Sequence, residues 1–325
     1  MQSSKPSNTN PAISVILPVY NGGAYLIESV QSVLKQNLLN FEFLILDDCS
    51  TDGSFSYLES IIDDRVSLFK NDVNKGLFYN LNFLIGKCKS PLIKLWSQDD
   101  IMYPNCLRSF THFHNLHPGI GFSYSQRDII DNKGKVREVS GTDLTPEIVS
   151  PELHARIAYF TGSIAGNIAN VCLSRDAVNS VALFRDDMKI SADFDMWVRL
   201  ARDHQTGHIN EKLIQLRDHE GQLSRNESLY IYHLREDLEV YRYLNTYVTV
   251  DLKAEGKKLL RRHKLVFYYT LMMKALAKGK IKTAWLFLKE LAGYDNFFIL
   301  SSHFLKSKIG KPYKGKTPNN IANHV

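Results

Sequence analysis

A recurring unit narrows the fold more than any other feature of this chain. A short apolar run ends in acidic or amide residues and gives way to a segment with helical periodicity. Residues 13–17 form one such run, with a single polar residue, and Pro18 reads as its stop. Residues 41–46 form a second, ending in Asp47 and Asp48, and residues 91–96 another, ending at Gln98, Asp99 and Asp100. Between the first two, Leu26, Val30, Val33 and Leu34 recur at the spacing of a helix face. Strand, helix and strand in so short a span predict a parallel β-α-β unit. Strands buried on both faces read as continuous apolar runs, as these do. The pattern predicts helices over 54–63, 76–88, 104–114, 151–159 and 195–203. Strands are expected over 66–70, 120–124 and 208–216, an edge strand over 170–174, and a turn at 132–134. After Asn226 the strand-like runs stop and helical periodicity continues to Leu291.

The expected fold class is therefore α/β: a mixed, mostly parallel sheet flanked by helices, followed by a C-terminal helical segment. The predicted division is a disordered lead-in over 1–11, a catalytic domain over 12–225, a helical segment over 226–305 and a flexible tail over 306–325. The 325 residues are enough for a core that needs no disulfide or metal staple. Cys49, Cys88, Cys106 and Cys172 show no paired spacing and read as buried, reduced thiols. The polar N-terminus does not resemble a signal peptide, and no run is long and apolar enough to span a membrane. The expected location is cytoplasmic, with attachment at the face of the cytoplasmic membrane left open. A formal charge of +6 does not by itself imply a nucleic-acid partner.

Open parallel sheets bind ligands beyond the carboxyl ends of their strands, and here those ends carry acids. G-x-G-x-x-G is missing after the first strand, and no G-x-x-x-x-G-K-[ST] follows any of the predicted strands, which argues against a dinucleotide site and against a P-loop on this sheet. Asp99 and Asp100 are either solvated or capping residues, or a pair whose repulsion a divalent cation relieves. Ser50 or Asp52 reads as a cap for the helix near Ser54, whereas Asp48, at the strand end, can accept hydrogen bonds from an imide or a ribose. Asp193 and Asp195 fit a helix N-terminus. That accounts for one of them and leaves the other available as a general base.

Five signals in order then resemble the inverting glycosyltransferases of family 2, of the kind found in bacterial polysaccharide and glycan biosynthesis. They are Pro18-Val19-Tyr20-Asn21, residues 47–52, Asn74-Lys75-Gly76, Asp99-Asp100, and Asp193-Phe194-Asp195-Met196-Trp197. His219, Gly221 and Ser224 are similar to the family's late histidine motif. The resemblance implies the GT-A fold and a nucleotide-diphosphate sugar donor, most simply a UDP- or dTDP-sugar. It implies transfer to a hydroxyl of a saccharide or lipid-linked saccharide by one inverting displacement. By the same resemblance Asp48 holds the base, Pro18, Tyr20 and Asn21 line the nucleotide pocket, and Asp99 and Gln98 lie near the ribose and sugar. Asp100 becomes the ligand of Mn²⁺ or Mg²⁺ with His219 as a second candidate, Asp193 the general base, and Trp197 a support behind it or a core residue. Two positions depart from the family's pattern: Ala192 stands where a Glu is common, and Leu81-Asn82 where Arg-Asn is common.

Two other classes fit less well. A sugar nucleotidyltransferase requires a glycine-rich basic loop after the first strand, and residues 18–23 hold no Lys or Arg. A binding protein without activity would have no need of Asp48, Asp100 and Asp193 together. Residues 253–282 hold ten Lys or Arg and one acid, Glu255, beside an apolar stretch. That segment predicts either a helical pair packed on the catalytic domain or a face for an anionic membrane. It lacks a nucleic-acid reader motif.

Overall fold

The computed structural model describes residues 10–137, 145–222 and 226–309. Most of the expected lead-in and of the expected tail lies outside them, as does Ser224. The chain forms two compact units, and the division is not sequential. The first takes Met1–Gly141, Ala165–Asp186 and His204–His219; the second takes Thr142–Ile164, Asp187–Asp203 and Glu220–Val325.

The first unit is built on one mixed sheet. Its strands are β1 Ile13–Val19, β2 Phe41–Asp47, β3 Val66–Lys70, β4 Leu92–Leu95, β5 Ile101–Met102, β6 Phe122–Ile130 and β7 Val136–Arg137. β8, Ile148–Val149, belongs to the second unit, and β9 Val171–Ser174 and β10 Thr206–Arg217 complete the first. The order across the sheet is β3-β2-β1-β4-β9-β6-β10-β5, with β7 pairing β6. β1 runs parallel to β2 and β4, β2 to β3, and β6 to β10. β9 is antiparallel to both β4 and β6, and β5 to β10. All seven residues of β1 are buried, as expected for a strand covered on both faces.

Three expectations change. β1 continues through Pro18 to Val19. The strand at 171–174 is interior, not an edge: Val171, Cys172 and Leu173 are fully buried between β4 and β6. Its continuous apolar run carries that information, since a solvent-facing edge would alternate. Cys88, Cys106 and Cys172 are buried free thiols, but Cys49 is only partly buried, in the loop after β2.

The helices of this unit are α1 Leu26–Leu34, α2 Ser54–Glu59, α3 Leu77–Ile85, α4 Cys106–Leu116 and, after α5 of the second unit, α6 Arg175–Ser180. α1 buries Leu26, Val30 and Val33, the face its spacing predicts. Because β1, β2 and β4 are parallel, the loops that follow them leave the same edge of the sheet.

The second unit is mainly helical: α5 Pro151–Thr161, α7 Ala192–Asp203, α8 Tyr230–Tyr247, α9 Val250–Leu260, α10 Val266–Ala277, α11 Ile281–Tyr294 and α12 Phe297–Ile309. A π-helical segment, Arg261–Leu265, joins α9 to α10. Tyr159 of α5 stacks on Tyr241 of α8 at 5.9 Å and hydrogen-bonds Asn245. No described helix is long and apolar enough to cross a membrane.

Candidate active site

The loops after β1 and β2 are held in one piece by short hydrogen bonds. Asn21 N–H donates to Ser50 Oγ (2.9 Å), and Thr51 N–H donates back to Asn21 Oδ1 (2.8 Å). Gly22 and Gly23 N–H donate to Ser54 Oγ and Asp52 Oδ2. Asn21 and Cys49, with φ of 47° and 65°, are the non-glycine residues in the left-handed region among those described. Such backbone costs about 1–3 kcal/mol per residue and gathers at functional sites. Pro18 is buried in β1, and Tyr20 is 47% exposed at its mouth.

Asp48 is buried and accepts three hydrogen bonds. Asn71 Nδ2 and Lys75 N–H donate to Oδ1 (2.8 Å each), and Gly76 N–H donates to Oδ2 (2.9 Å). The Asn74-Lys75-Gly76 turn thus cradles this carboxylate with backbone amides. Gly76 has φ of 88°, which a side chain would strain. A carboxylate offers about four lone-pair directions, so Oδ2 keeps one for a further donor.

The Gln98 amide holds the β1 loop: Tyr20 N–H donates to its Oε1 (2.9 Å), and its Nε2 donates to Tyr20 O (3.1 Å). Asp99 and Asp100 part company. Asp99 is partly exposed; its Oδ1 accepts from Ser97, and its Oδ2 lies 2.9 Å from His219 Nε2. Asp100 is 1% exposed; Oδ1 accepts the Arg217 N–H (2.8 Å), and the buried Oδ2 has no hydrogen-bond partner. Burial first, then the Asp99 charge, pushes the Asp100 carboxyl well above the usual range, while the Arg217 N–H opposes the rise.

Sequence reasoning missed Arg217. Its buried guanidinium donates to Asp99 O (3.0 Å), Asp131 O (3.2 Å) and Glu28 (2.6 Å), and lies 4.4 Å from the Tyr25 ring centre. The same ring sits 5.1 Å from His219. Arg217 therefore fixes the backbone of Asp99 and, through Tyr25, the setting of the imidazole. An arginine at the end of an apolar strand, two residues before His219, was the available signal. Asn71, bridging Asp48 and Asn80, left no such trace.

Among the described residues, no three His, Cys, Asp or Glu side chains are grouped to hold a metal ion. The first unit brings together Pro18, Tyr20, Asn21, Asp48, Gln98, Asp99, Asp100 and His219. Asp193 and Trp197 lie on α7 in the second unit. There Asp195 pairs with Arg199 at 2.7 Å. Asp193 accepts the Phe194 N–H (2.7 Å), and burial pushes its pKa up to about 6. Trp197 is fully buried, as a core side chain is.

Comparison with known proteins identifies the family of this chain. EpsE of Bacillus subtilis, which bears a provisional glycosyltransferase name, is 26% identical over 227 residues, 69% of this chain and 79% of its own. An uncharacterized glycosyltransferase of Rickettsia felis is 28% identical over 69% of this chain, which spans only 37% of that longer protein. WcaA of Escherichia coli, named for colanic acid biosynthesis, is 25% identical over 77% of this chain and 96% of its own. In fold, the chain is similar to S. aureus TarS 1–349 in complex with UDP-GlcNAc, with a TM-score of 0.67, 17% identity, and coverage of 87% and 80%. It is also similar to the Pyrobaculum calidifontis mannosyltransferase PcManGT in complex with GDP-Man and Mn²⁺, with a TM-score of 0.56, 13% identity, and coverage of 95% and 89%. The sequence profile of Glycosyl transferase family 2 matches residues 14–177, about half of the chain and all three loops after β1, β2 and β4. The chain thus belongs to glycosyl transferase family 2, with a GT-A-like fold, and is a glycosyltransferase that acts on a nucleotide-sugar donor.

Proposed function

We propose that this enzyme moves one sugar from a UDP- or dTDP-sugar to a hydroxyl of a glycan or lipid-linked acceptor, inverting the anomeric carbon in one displacement. The observation that carries the donor choice is Asp48. Its Oδ1 is filled by two donors and its Oδ2 has one direction left, which suits the single imide N–H of uracil or thymine. A guanine edge presents two adjacent donors and asks for both oxygens. Pro18, Tyr20 and Asn21 form the wall beside it, and Gln98 acts by holding Tyr20 in place.

Asp99 and His219 fit Mn²⁺ or Mg²⁺. They present a carboxylate oxygen and an imidazole nitrogen 2.9 Å apart, both partly exposed. A cation that shares its coordination with substrate phosphates needs only one or two carboxylates, so no protein cage is required. Such a cation, when bound, offsets the negative charge that grows on the leaving diphosphate. Asp100, the ligand expected from the sequence, is then a buried support that ties the Asp99 loop to Arg217 N–H. Asp193 takes the proton of the attacking hydroxyl. With its pKa at about 6 it is ionised at neutral pH and more basic than an ordinary carboxylate. One carboxylate suffices, because the diphosphate leaves without protonation.

The complexes of TarS with UDP-GlcNAc and of PcManGT with GDP-Man and Mn²⁺ support a diphospho-sugar and a divalent ion. The naming of WcaA for colanic acid biosynthesis supports a glycan as the acceptor class. A donor panel with Mn²⁺, read by mass spectrometry, tests the assignment. Transfer or slow hydrolysis from uracil or thymine donors is expected; turnover of guanine donors alone would contradict it.

We further propose a peripheral site at an anionic, cytoplasmic membrane face, formed by α10, α11 and the turn between them. Leu276, Ile281, Trp285 and Leu286 are exposed there, Ile281 and Trp285 by more than 60%. Lys274, Lys278, Lys280, Lys282 and Lys289 are exposed in the same stretch, with no acid from 266 to 289. The basic group that the sequence pointed to is partly spent within the unit. Lys257 and Arg261 pair with Asp295, and Lys264 pairs with the buried Asp237.

A further inference from the structure

The second unit contains a partly buried charge pair that sugar transfer does not itself use. α8 carries two adjacent buried acids with separate tasks. Glu236 accepts the N–H groups of Lys189 (2.8 Å), Ile190 (3.0 Å) and Ser191 (2.9 Å), the residues leading into α7. It therefore anchors the start of the helix that bears Asp193. Asp237 instead accepts from Lys264 Nζ at 2.6 Å.

Lys264 reaches that position through an irregularity. It lies in the π-helical segment Arg261–Leu265, where the wider turn re-aims side chains relative to a continuous α-helix. Its ammonium lies 5.5 Å from the Phe194 ring centre and 5.3 Å from that of Tyr241. A Cβ on Gly162 would come within 3.3 Å of Nζ, and the φ of 84° there also favours glycine. Phe194 is the residue whose N–H holds Asp193 Oδ1. The charge pair therefore sits against the residue that fixes the carboxylate.

We propose that Asp237 and Lys264 are positioning residues for Asp193, and that together they set the pH range over which this carboxylate can take a proton. The inference rests on the assignment of Asp193 as general base. Burial raises the proton affinity of Asp193, the Asp237 charge raises it further, and the Lys264 charge opposes both. The other titratable groups around the pair are Glu236, His233 and Tyr241 of α8 and Tyr268 of α10. Burial pushes Tyr241 up to about 12, raises Tyr268 as well and lowers His233, so all three are neutral near pH 7. Glu236 is engaged by three backbone N–H groups, and on α7 Asp195 is engaged by Arg199. That leaves the Asp237–Lys264 pair as the charge that a substitution can unbalance.

The test is a carboxyl ¹³C NMR titration of the full-length protein labelled at aspartate, with the Asp193 signal assigned by its loss in Asp193→Asn. Lys264→Gln keeps a hydrogen-bond donor to Asp237 but no charge, and is expected to move the Asp193 midpoint up by about one pH unit. Asp237→Asn leaves Lys264 unopposed and moves it down. Lys264→Arg keeps the charge and leaves the midpoint near that of the unmodified protein. Coincident midpoints in folded Lys264→Gln and Asp237→Asn overturn the proposal, because a purely structural pair would change stability and not the titration. Midpoints that move as described while Asp193→Asn retains full transfer would remove the base assignment and leave the control of the carboxylate standing.

Discussion

Asp99 and Asp100 are neighbours in sequence with the same side chain, yet their surroundings give them different chemistry. Asp99 faces His219 and solvent, whereas Asp100 is buried with one oxygen taken by the Arg217 N–H. An Asn at 100 keeps the oxygen that accepts from Arg217, whereas an Asn at 99 removes the anionic donor beside the imidazole. Mn²⁺ binding in the presence of UDP, measured by calorimetry, should therefore weaken at least tenfold in Asp99→Asn, about 1.4 kcal/mol. In Asp100→Asn it should change by less than about threefold, roughly 0.7 kcal/mol on the same scale. The opposite ranking would return the cation to Asp100. The sequence showed that a carboxylate pair ends a buried strand. Which member stays accessible depends on Arg217, more than a hundred positions later in the chain, and no local pattern carries that information.

At the scale of elements, the α10–α11 pair makes a specific prediction. Changing Lys274, Lys278, Lys280 and Lys282 to Gln should release the protein from anionic vesicles in co-sedimentation at low salt. Each lysine near such a surface contributes about 1 kcal/mol. Neutral vesicles should not pellet the protein, and added salt should free it. A wild-type chain that ignores anionic vesicles at low salt contradicts the membrane face. The parallel strands were legible because continuous apolar runs mark burial on both faces, and β1, β2 and β4 follow that rule. Sheet neighbours were not: β9 lies between β4 and β6, a placement set by tertiary pairing. Lys94 was equally hidden. It sits fully buried in β4, with its ammonium donating to the carbonyls of Leu95 and Ala169. A charge inside an apolar run argues against such burial until those carbonyls are seen. The helical C-terminal region was legible from its period, but the inclusion of residues 187–203 in the same compact unit was not, since a three-dimensional grouping leaves no mark at a chain boundary.

At the scale of the whole molecule, the chain assigns its tasks to different stretches. The segment matched by the family carries the loops proposed to bind the donor, and α7, beyond that match, carries the proposed base. The account therefore predicts that binding and turnover separate. Replacing Asp193 by Asn preserves its size and the acceptor for the Phe194 N–H but removes the basic oxygen. Its kcat should fall by about 10²–10⁴-fold, the range a general base supplies. The most direct measurement pairs that kcat with a calorimetric titration of the same variant, using the donor identified by the panel. Donor affinity within about twofold of wild type, together with the lost turnover, is the predicted result, a change of about 0.4 kcal/mol or less in binding. Full turnover in Asp193→Asn, or donor binding lost in step with turnover, would contradict it.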